Sequence, residues 1–496
     1  MPIQCSDLDT EEEARVVMST GNIRKVHFIG IGGVGMSGIA HVAHDQGLQV
    51  SGSDLRSSRY TDQLKDAGVT VYIGQSADNL PDDNDAVVVV STAILDNNPE
   101  LKAAKERGMT IWHRAQMLAY LGVGKKTLAV AGTHGKTTSS SMLASTLDAM
   151  GYDPSFLIGG IVRSYGTNAH SGSGDYYVVE ADESDKSFTY LDPAAVMVTN
   201  IEADHLDHYA NLDEIYQLFS QFMSSVPEDG VIVACGDRSR LAQLAKSLDR
   251  TAYTYGFDES CDARVTSWEP KGIGSVFTLV LPDGTRVNGS VKQNPGKHNV
   301  SNAAGVLTLI WALGLPVDKA ALALGEFAGV ARRFDLTGEA DGVTVVDDYA
   351  HHPTEIAATI NAAAKLPFKH IYVLFQPHRY SRVKLFTEVL HDEFGAAFDA
   401  ADGVVFMNVY PAGEMPVPGV SGRTFMNVVL EHEGHPAVQY VPHRMDVVPA
   451  LMKMLEPGDL VFTMGAGDVT AIGPQLLDAL RQREAARSAH KGDAVR

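Results

Sequence analysis

The sequence predicts three consecutive α/β domains, each built around a mainly parallel sheet. Three observations carry that expectation. A chain of 496 residues exceeds what one hydrophobic core normally organises, since about 150 residues per domain is the usual scale. Short apolar runs alternate with segments of helical apolar spacing, the pattern of strands joined by crossover helices. A buried run that ends in a glycine or polar turn opens the chain, recurs near residue 127 and recurs again near residue 331.

In the first third, residues 25–30 (KVHFIG) read as a strand and the following GMSGIAHVAHDQG as a helix. Further strands are expected at 48–51, 70–73 and 86–90, and the domain closes near residue 123. The second third restarts with TLAVA at 127–131, a glycine turn and the helix SSSMLASTLDAMG. Strands YYVVE, AVMVTN and VIVAC follow, ending at Glu180, Asn200 and Cys235. In the last third TVVDD, IYVLF, GVVFMNV and LVFTMG are strands separated by helical stretches. The expected domains are 1–123, 124–330 and 331–496. Residues 1 to about 20 and the polar tail after about residue 484 are expected to be loosely held ends, although the tail opens with LLDALRQREAARSA, which can prolong a helix.

Composition narrows the function. Apolar residues at 45% and charged residues at 20% exclude a disordered or coiled-coil chain. A formal net charge of -21 opposes nucleic acid, whose affinity for proteins comes largely from phosphate neutralisation by Lys and Arg. It does not oppose a small nucleotide, whose phosphates need only local N–H groups, one Lys and a metal. Cys5, Cys235 and Cys261 form no CxxC pair and indicate neither a disulfide framework nor a zinc knuckle. The acidic stretch from Asp7 to Glu13 replaces the basic and apolar segments of a secretory signal, and no apolar run approaches a membrane span. A cytoplasmic monomer or weak homodimer acting on small molecules is expected, with no membrane partner.

Five groups of residues carry chemistry. Gly30-Ile31-Gly32-Gly33-Val34-Gly35 lies between strand and helix, and Asp54 ends a second strand about 20 residues on, as in a dinucleotide-binding Rossmann-like domain. Such glycines let the backbone approach a pyrophosphate at the helix N-terminus; a tight turn without ligand is the plainer alternative. Taken alone the motif favours NAD and keeps a nicotinamide-dependent oxidoreductase as a rival. Gly132-Thr133-His134-Gly135-Lys136-Thr137-Thr138 follows TLAVA and precedes a helix. It is a compact P-loop, with Val130 where the standard motif has its first Gly. Lys136 is the point charge for β- and γ-phosphates and the Thr137 hydroxyl suits Mg2+, so the central domain reads as a P-loop ATPase type.

Carboxylates and histidines end the next two strands: Glu180, Asp182, Glu183 and Asp185, then Glu202, Asp204, His205, Asp207 and His208. Ligands of parallel sheets bind beyond the strands' carboxyl ends, so these residues should face the P-loop. Hard oxygen ligands beside phosphates suit Mg2+; a zinc site would have no Cys nearby. Glu180 and His205 are the metal candidates, while Asp182, Asp185 and Asp207 read as solvated acids. In the helix opening at Lys297, Asn299 reads as a cap, and His298 and Asn302 are candidates for holding a base. Last come Arg332-Arg333, the segment from Asp347 to Pro353 with Tyr349, His351 and His352, and the segment Gln376 to Arg382 with His378, Arg379 and Arg382. Two of these follow buried strands and mark a crevice in a second Rossmann-like domain, where Arg can grip carboxylate or phosphate in a two-pronged fork.

From about residue 22 to residue 480 the motifs IGIGGVGMSGIA, GTHGKTT, EADESDKSF, TNIEADHLDHY, KHNVSNA, RRFD, VDDYAHHPTE and FQPHRYSR, in that order, resemble the Mur ligases. The resemblance implies an ATP-dependent, Mg2+-requiring amide ligase of peptidoglycan precursor synthesis that joins L-alanine to the lactyl carboxylate of UDP-N-acetylmuramate through an acyl phosphate. It implies that Gly30, Gly32, Gly33, Gly35 and Asp54 hold the UDP-sugar rather than NAD. Gly132 to Thr138 would hold the ATP phosphates, with His298 and Asn302 on the adenine side and Arg333 reaching the phosphates. Thr137 and Glu180 would serve one Mg2+ and His205 a second. Tyr349, His351, His378, Arg379 and Arg382 would surround L-alanine and the acyl intermediate, and His205 and His351 both stand as the base. Siblings that add later residues carry a carbamoylated lysine where this chain has Ser220, with no Lys between Lys186 and Lys246. A recycling ligase that attaches a ready-made peptide is the rival within the class. A regulatory ATP-binding module would leave the third domain's His and Arg clusters idle.

Overall fold

A computed structural model of the chain describes residues 23–183, 187–202, 209 and 211–493. Its first sheet contains β1 (Lys25–Ile29), β2 (Gln49–Asp54), β3 (Thr70–Ile73), β4 (Val87–Val90) and β5 (Ile111–His113). The order is β3-β2-β1-β4-β5 and every pair is parallel. Val26, Phe28, Ile29 and the four valines of β4 are buried, as a sheet covered on both faces requires. Strand order reverses between β1 and β4, which puts the ligand crevice of such a sheet at the end of β1, where Gly30 begins its turn.

The second sheet has ten strands: β6 (Lys126–Ala131), β7 (Ser155–Val162), β8 (Thr167–His170), β9 (Tyr176–Glu180), β10 (Ala195–Val198), β11 (Val231–Cys235), β12 (Thr251–Gly256), β13 (Ala263–Lys271), β14 (Gly274–Val280) and β15 (Arg286–Val291). In the order β15-β14-β13-β12-β11-β10-β6-β9-β7-β8, β6 lies between β9 and β10 and is parallel to both. The polar segments after all three strands therefore emerge at one edge. The third sheet holds β16 (Asp335–Ala340), β17 (Val343–Asp348), β18 (Ile371–Phe375), β19 (Gly403–Phe406), β20 (Ala437–Tyr440) and β21 (Leu460–Met464) in the order β16-β17-β21-β18-β19-β20. Only β16–β17 is antiparallel among its pairs.

The chain packs as two compact units, Met1–Ser267 with Phe277–Gly289 and Ser301–Phe327, and Trp268–Val276 with Ser290–Val300 and Ala328–Arg496. In the first, the helix Val34–Asp45 packs on β7 and β8, so the first two sheets share one body. The approach is close at Gly38, where an added Cβ would lie 3.1 Å from Leu157. In the second unit Phe375, Phe386, Phe394, Phe398, Phe406 and Phe425 are all buried, with Phe394 and Phe425 stacked at 4.1 Å. Each contributes about 1.5–3 kcal/mol of burial.

The short β5, the β7–β8 pair, β12 to β16 and β20 were not predicted by periodicity. The tail is also firmer than expected. The last helix runs Ile472–Asp493, and Arg487 Nη1 lies 2.9 Å from Asp341 Oδ1, so the chain is anchored past residue 484. The expectation for residues 1 to about 20 lies outside the described residues. No helix among the described residues is long and apolar enough to cross a membrane.

Candidate active site

The glycine-rich turn is fastened to β2. Gly30 N and Ile31 N both donate to Ser53 O, at 2.8 and 2.9 Å, and Gly32 N donates to Asp54 Oδ2 at 2.9 Å. Gly30 has φ +81, a left-handed conformation that favours glycine. An added Cβ at Gly32 would fall 2.9 Å from Asp54 Oδ2. The helix that follows has Gly33 as N-cap, no side-chain cap and no acidic residue in its first turn, so its positive end is left for an anion. Gly35 borders Arg114, whose Nη1 lies 3.8 Å from the Cβ position of this glycine.

Residues 132–135 join β6 to the helix Lys136–Ala149. Gly132 (φ +130) passes so close to Thr199 and Asn200 that a Cβ would strike Thr199 Oγ1, and Gly135 (φ +85) approaches Asn302, whose Oδ1 would be 2.8 Å from an added Cβ. The segment after β10 clamps the loop: Thr133 N donates to Asn200 O at 3.0 Å, His134 N to Asn200 Oδ1 at 2.9 Å, and Thr199 Oγ1 to His134 O at 2.6 Å. Lys136 Nζ donates to Gly132 O at 2.5 Å and to both oxygens of Glu183, at 3.0 and 2.9 Å. Their side chains are only 12% and 3% exposed. Burial alone would lower the Lys136 pKa, but Glu183, Asp182 and Glu180 outweigh it and hold it above its ordinary value. Lys136 is therefore a fixed cation. Thr137 Oγ1 donates to Glu180 Oε1 at 3.0 Å, and Gly159 N donates to Glu180 Oε2 at 2.7 Å.

The second unit gathers the later motifs around β17 and β18. Asp348 is buried and accepts from Phe334 N at 2.7 Å and Ala350 N at 2.8 Å; burial pushes its carboxyl up to about 6 against the pull of Arg333 and these two N–H groups. This carboxyl fixes the turn in which Arg332 (φ +62) and Phe334 (φ +48) are left-handed non-glycine residues, a strained state that persists only where neighbours impose it. Arg332 Nη2 donates to Gly465 O at 2.6 Å, and Arg333 Nη1 lies 3.5 Å from Glu355 Oε1. His351 Nδ1 is 3.1 Å from Tyr349 O. A carbonyl only accepts, so Nδ1 carries a proton; the Glu355 carboxylate lies 3.6 Å from the same nitrogen. The His351 and His378 rings are 6.4 Å apart. His378 stacks on Tyr410 at 5.7 Å, and burial together with Arg382 and Arg379 lowers its pKa to about 4. Arg379 is itself strained at φ +63, held by its N–H to Tyr410 O at 2.9 Å.

Sequence models of one family match the chain in three successive stretches: Mur ligase family, catalytic domain, at residues 25–125; Mur ligase middle domain at 130–310; and Mur ligase, glutamate ligase domain, at 332–467. The chain belongs to the Mur ligase family. It is 43% identical to the UDP-N-acetylmuramate–L-alanine ligase of Pelotomaculum thermopropionicum over 93% of this chain and 98% of that protein. Among solved structures, UDP-N-acetylmuramate-alanine ligase from Thermotoga maritima superposes with a TM-score of 0.76 at 28% identity, covering 92% of this chain and 99% of that one. A murein peptide ligase from Psychrobacter arcticus follows at 0.68 and 26%, again over 92% and 99%.

Within this Mur ligase, the first unit brings together the P-loop, Glu180 and Asn302, and it keeps Asp54 on the glycine turn. The second unit brings together Arg333, Tyr349, His351, His378, Arg379 and Arg382. His298 opens the helix Lys297–Ala312 and is exposed. Asn299 lies inside the first turn of that helix, its Nδ2 donating to Pro295 O at 3.0 Å, and so does not occupy the cap position expected of it. Ser220 is half-buried on the helix Leu212–Ser224. His205, Asp185, Asp204, Asp207 and His208 lie outside the described residues. Asp182, read as a solvated acid, lies 3.5 Å from Arg114 Nη2. Three features were not expected from the sequence: Glu183 as the partner of Lys136, the Thr199-Asn200 clamp on the loop, and Arg114 beside Gly35 and Asp182. The clamp and Arg114 follow β10 and β5, and the same strand-end rule finds both once β5 is recognised.

Proposed function

We propose that the protein joins L-alanine to the lactyl carboxylate of UDP-N-acetylmuramate at the expense of ATP, in the cytoplasmic part of peptidoglycan precursor synthesis. The observation that carries this reading is the buried Lys136 cation at the head of the P-loop, beside the Thr137–Glu180 contact, in a chain 43% identical to a protein named UDP-N-acetylmuramate–L-alanine ligase. We keep 1–123, 124–330 and 331–496 as the working domains for UDP-sugar, ATP and amino acid.

A carboxylate is a poor electrophile and must first be activated. The γ-phosphoryl leaves ATP as the β,γ-bridging bond breaks, a P–O bond to the lactyl carboxylate forms, and ADP departs. The neutral amine of L-alanine then attacks the acyl carbon, and the tetrahedral intermediate expels phosphate as the amide forms. Lys136 and the N–H groups at the start of its helix neutralise charge on the moving phosphoryl group. Thr137 Oγ1 and Glu180 Oε1, 3.0 Å apart, are hard oxygen donors at the phosphate end of the loop and fit Mg2+. Bound there, the metal supplies charge neutralisation on the phosphate oxygens. Asn302 and His298 are assigned to the adenine side and Arg333 to the phosphates. Gly30, Gly32, Gly33 and Gly35 are assigned to the UDP-sugar pyrophosphate, with Asp54 holding their turn. Arg379 and Arg382 are assigned to the L-alanine carboxylate or the acyl phosphate oxygens, with Tyr349 and His378 beside them. His351 is assigned as the base that takes the ammonium proton, its Nδ1 being turned to the Tyr349 carbonyl so that Nε2 is the nitrogen left for the substrate.

The test is oxygen transfer. With 18O in the lactyl carboxylate, an acyl phosphate route delivers one labelled oxygen into the released phosphate. Unlabelled phosphate accompanying amide formation overturns the mechanism.

A further inference from the structure

Beneath the first sheet's ligand crevice lies a carboxylate that the chemistry above does not use. Glu100, in the first turn of the helix Pro99–Glu106, is 0% exposed, as is His27 on β1. Four groups from three segments converge on it. Oε2 receives His27 Nε2 at 2.9 Å and Ser53 Oγ at 2.8 Å. Oε1 receives Ser76 N at 3.1 Å and Asn79 Nδ2 at 2.9 Å. The other nitrogen of His27 lies 2.9 Å from Ser51 Oγ. We propose that Glu100 is a positioning residue for the glycine-rich turn, acting through Ser53 to set the binding geometry of the UDP-sugar pyrophosphate.

The link is short and directional. Ser53 gives its hydroxyl to Glu100 and its carbonyl to Gly30 N and Ile31 N, and its neighbour Asp54 takes Gly32 N. The three N–H groups that set the course of the turn are thus referred to two residues of β2, one of which is tied directly to Glu100. Burial favours the neutral acid, but the hydrogen bonds of His27, Asn79 and Ser53 prevail and hold the carboxyl below its ordinary value, so the anchor is an ionised group with strong, oriented bonds. Apolar side chains of matching volume generally stabilise a core as well as a buried ion does. What such side chains do not supply is a fixed orientation for a serine beneath a phosphate-binding turn. The sequence carries no periodic or motif signal for this group, because Glu100 follows Asn-Pro at an ordinary helix start.

This inference rests on the UDP-sugar reading of the turn, and the experiment separates the two. UDP-N-acetylmuramate binding is measured by calorimetry, and Michaelis constants for all three substrates are measured, on the full chain carrying Glu100→Gln, Ser53→Ala or Asn79→Ala. Ser53→Ala cuts the link to the turn, whereas Asn79→Ala removes a donor on the opposite oxygen. The expected result is UDP-N-acetylmuramate bound about tenfold more weakly in Ser53→Ala, the scale of one lost hydrogen bond to a charged group, with ATP and L-alanine constants and kcat unchanged. Asn79→Ala should lower the melting temperature with UDP-sugar affinity retained. Glu100→Gln, if it folds, should resemble Ser53→Ala. Equal affinity in Ser53→Ala and wild type, or equal loss in Ser53→Ala and Asn79→Ala, reduces Glu100 to a structural residue and overturns the inference. Wild-type protein that fails to bind UDP-N-acetylmuramate overturns the underlying reading instead.

Discussion

Lys136→Ala removes one amine with two separable effects. On chemistry, the loss of a clamping cation lowers turnover by about 10³-fold or more. On stability, the variant leaves Glu183, 2% exposed, without its cation. Removing one partner of so buried a pair costs about 3–5 kcal/mol if the carboxylate stays ionised, and at these exposures solvent screening softens little of it. Glu183 can escape by taking a proton. Burial already raises its pKa above the ordinary 4.5, opposed by Lys136, and without Lys136 it rises further. A raised pKa in the fold means that the folded state binds more protons than the unfolded chain. The associated stability is full below about 4.5 and is lost as pH climbs through the folded value, at up to about 1.4 kcal/mol per unit. The deficit of Lys136→Ala against wild type, followed by thermal unfolding, should therefore be small near pH 5 and large near pH 8. Lys136→Ala with Glu183→Gln should recover stability at pH 8 while phosphate release stays abolished. Near-normal turnover in a folded Lys136→Ala protein, or a stability deficit that neither pH nor Glu183→Gln alters, refutes the reasoning.

Other expectations follow from the same geometry. Glu180→Ala should raise the Mg2+ concentration needed for half-maximal activity, seen in metal titrations of phosphate release, and unchanged demand would remove Glu180 from the metal. Bicarbonate should leave wild-type activity unaltered, because Ser220 offers no amine to carbamoylate; a reversible dependence contradicts that. Arg379→Lys keeps charge but loses the planar fork, so the Michaelis constant for L-alanine should rise about tenfold or more with binding of a nonhydrolysable ATP analogue unchanged. Lost analogue binding with normal L-alanine dependence would move Arg379 to the nucleotide. The folded pKa of His378, about 4 against an ordinary 6.5, contributes stability above 6.5 that is lost as pH falls toward 4. His378→Gln should flatten that acid limb in thermal unfolding, and the paired comparison cancels Asp348, whose raised pKa acts in the opposite direction.

What was legible in the sequence is what local chemistry encodes. β1, β6, β9 and β18 are mainly apolar runs that end at a glycine, at Glu180 or, for β18, at Gln376-Pro377, and each appeared where periodicity placed it. The glycine turn, the P-loop and the His-Arg segments carry residue types rarely spent on packing. Glu183 was hidden because its neighbours are also acids, and only the fold shows which of them is buried against Lys136. β5 is too short for a period, so Arg114 beyond it passed unnoticed. The sequence marks Arg379 through its segment but not its left-handed backbone, which is held by Tyr410 from the neighbouring strand's end. Glu100 is the limiting case, since nothing within its own stretch of chain marks it as buried.

The most direct test of the central claim is phosphate release with ATP, Mg2+ and UDP-N-acetylmuramate, comparing L-alanine with glycine, L-serine and an L-Ala-D-Glu-containing tripeptide. The account predicts release that requires all three substrates and is fastest with L-alanine. Release favouring the tripeptide would make the protein a recycling ligase, and NAD or NADH turnover without ATP turnover would contradict the account altogether.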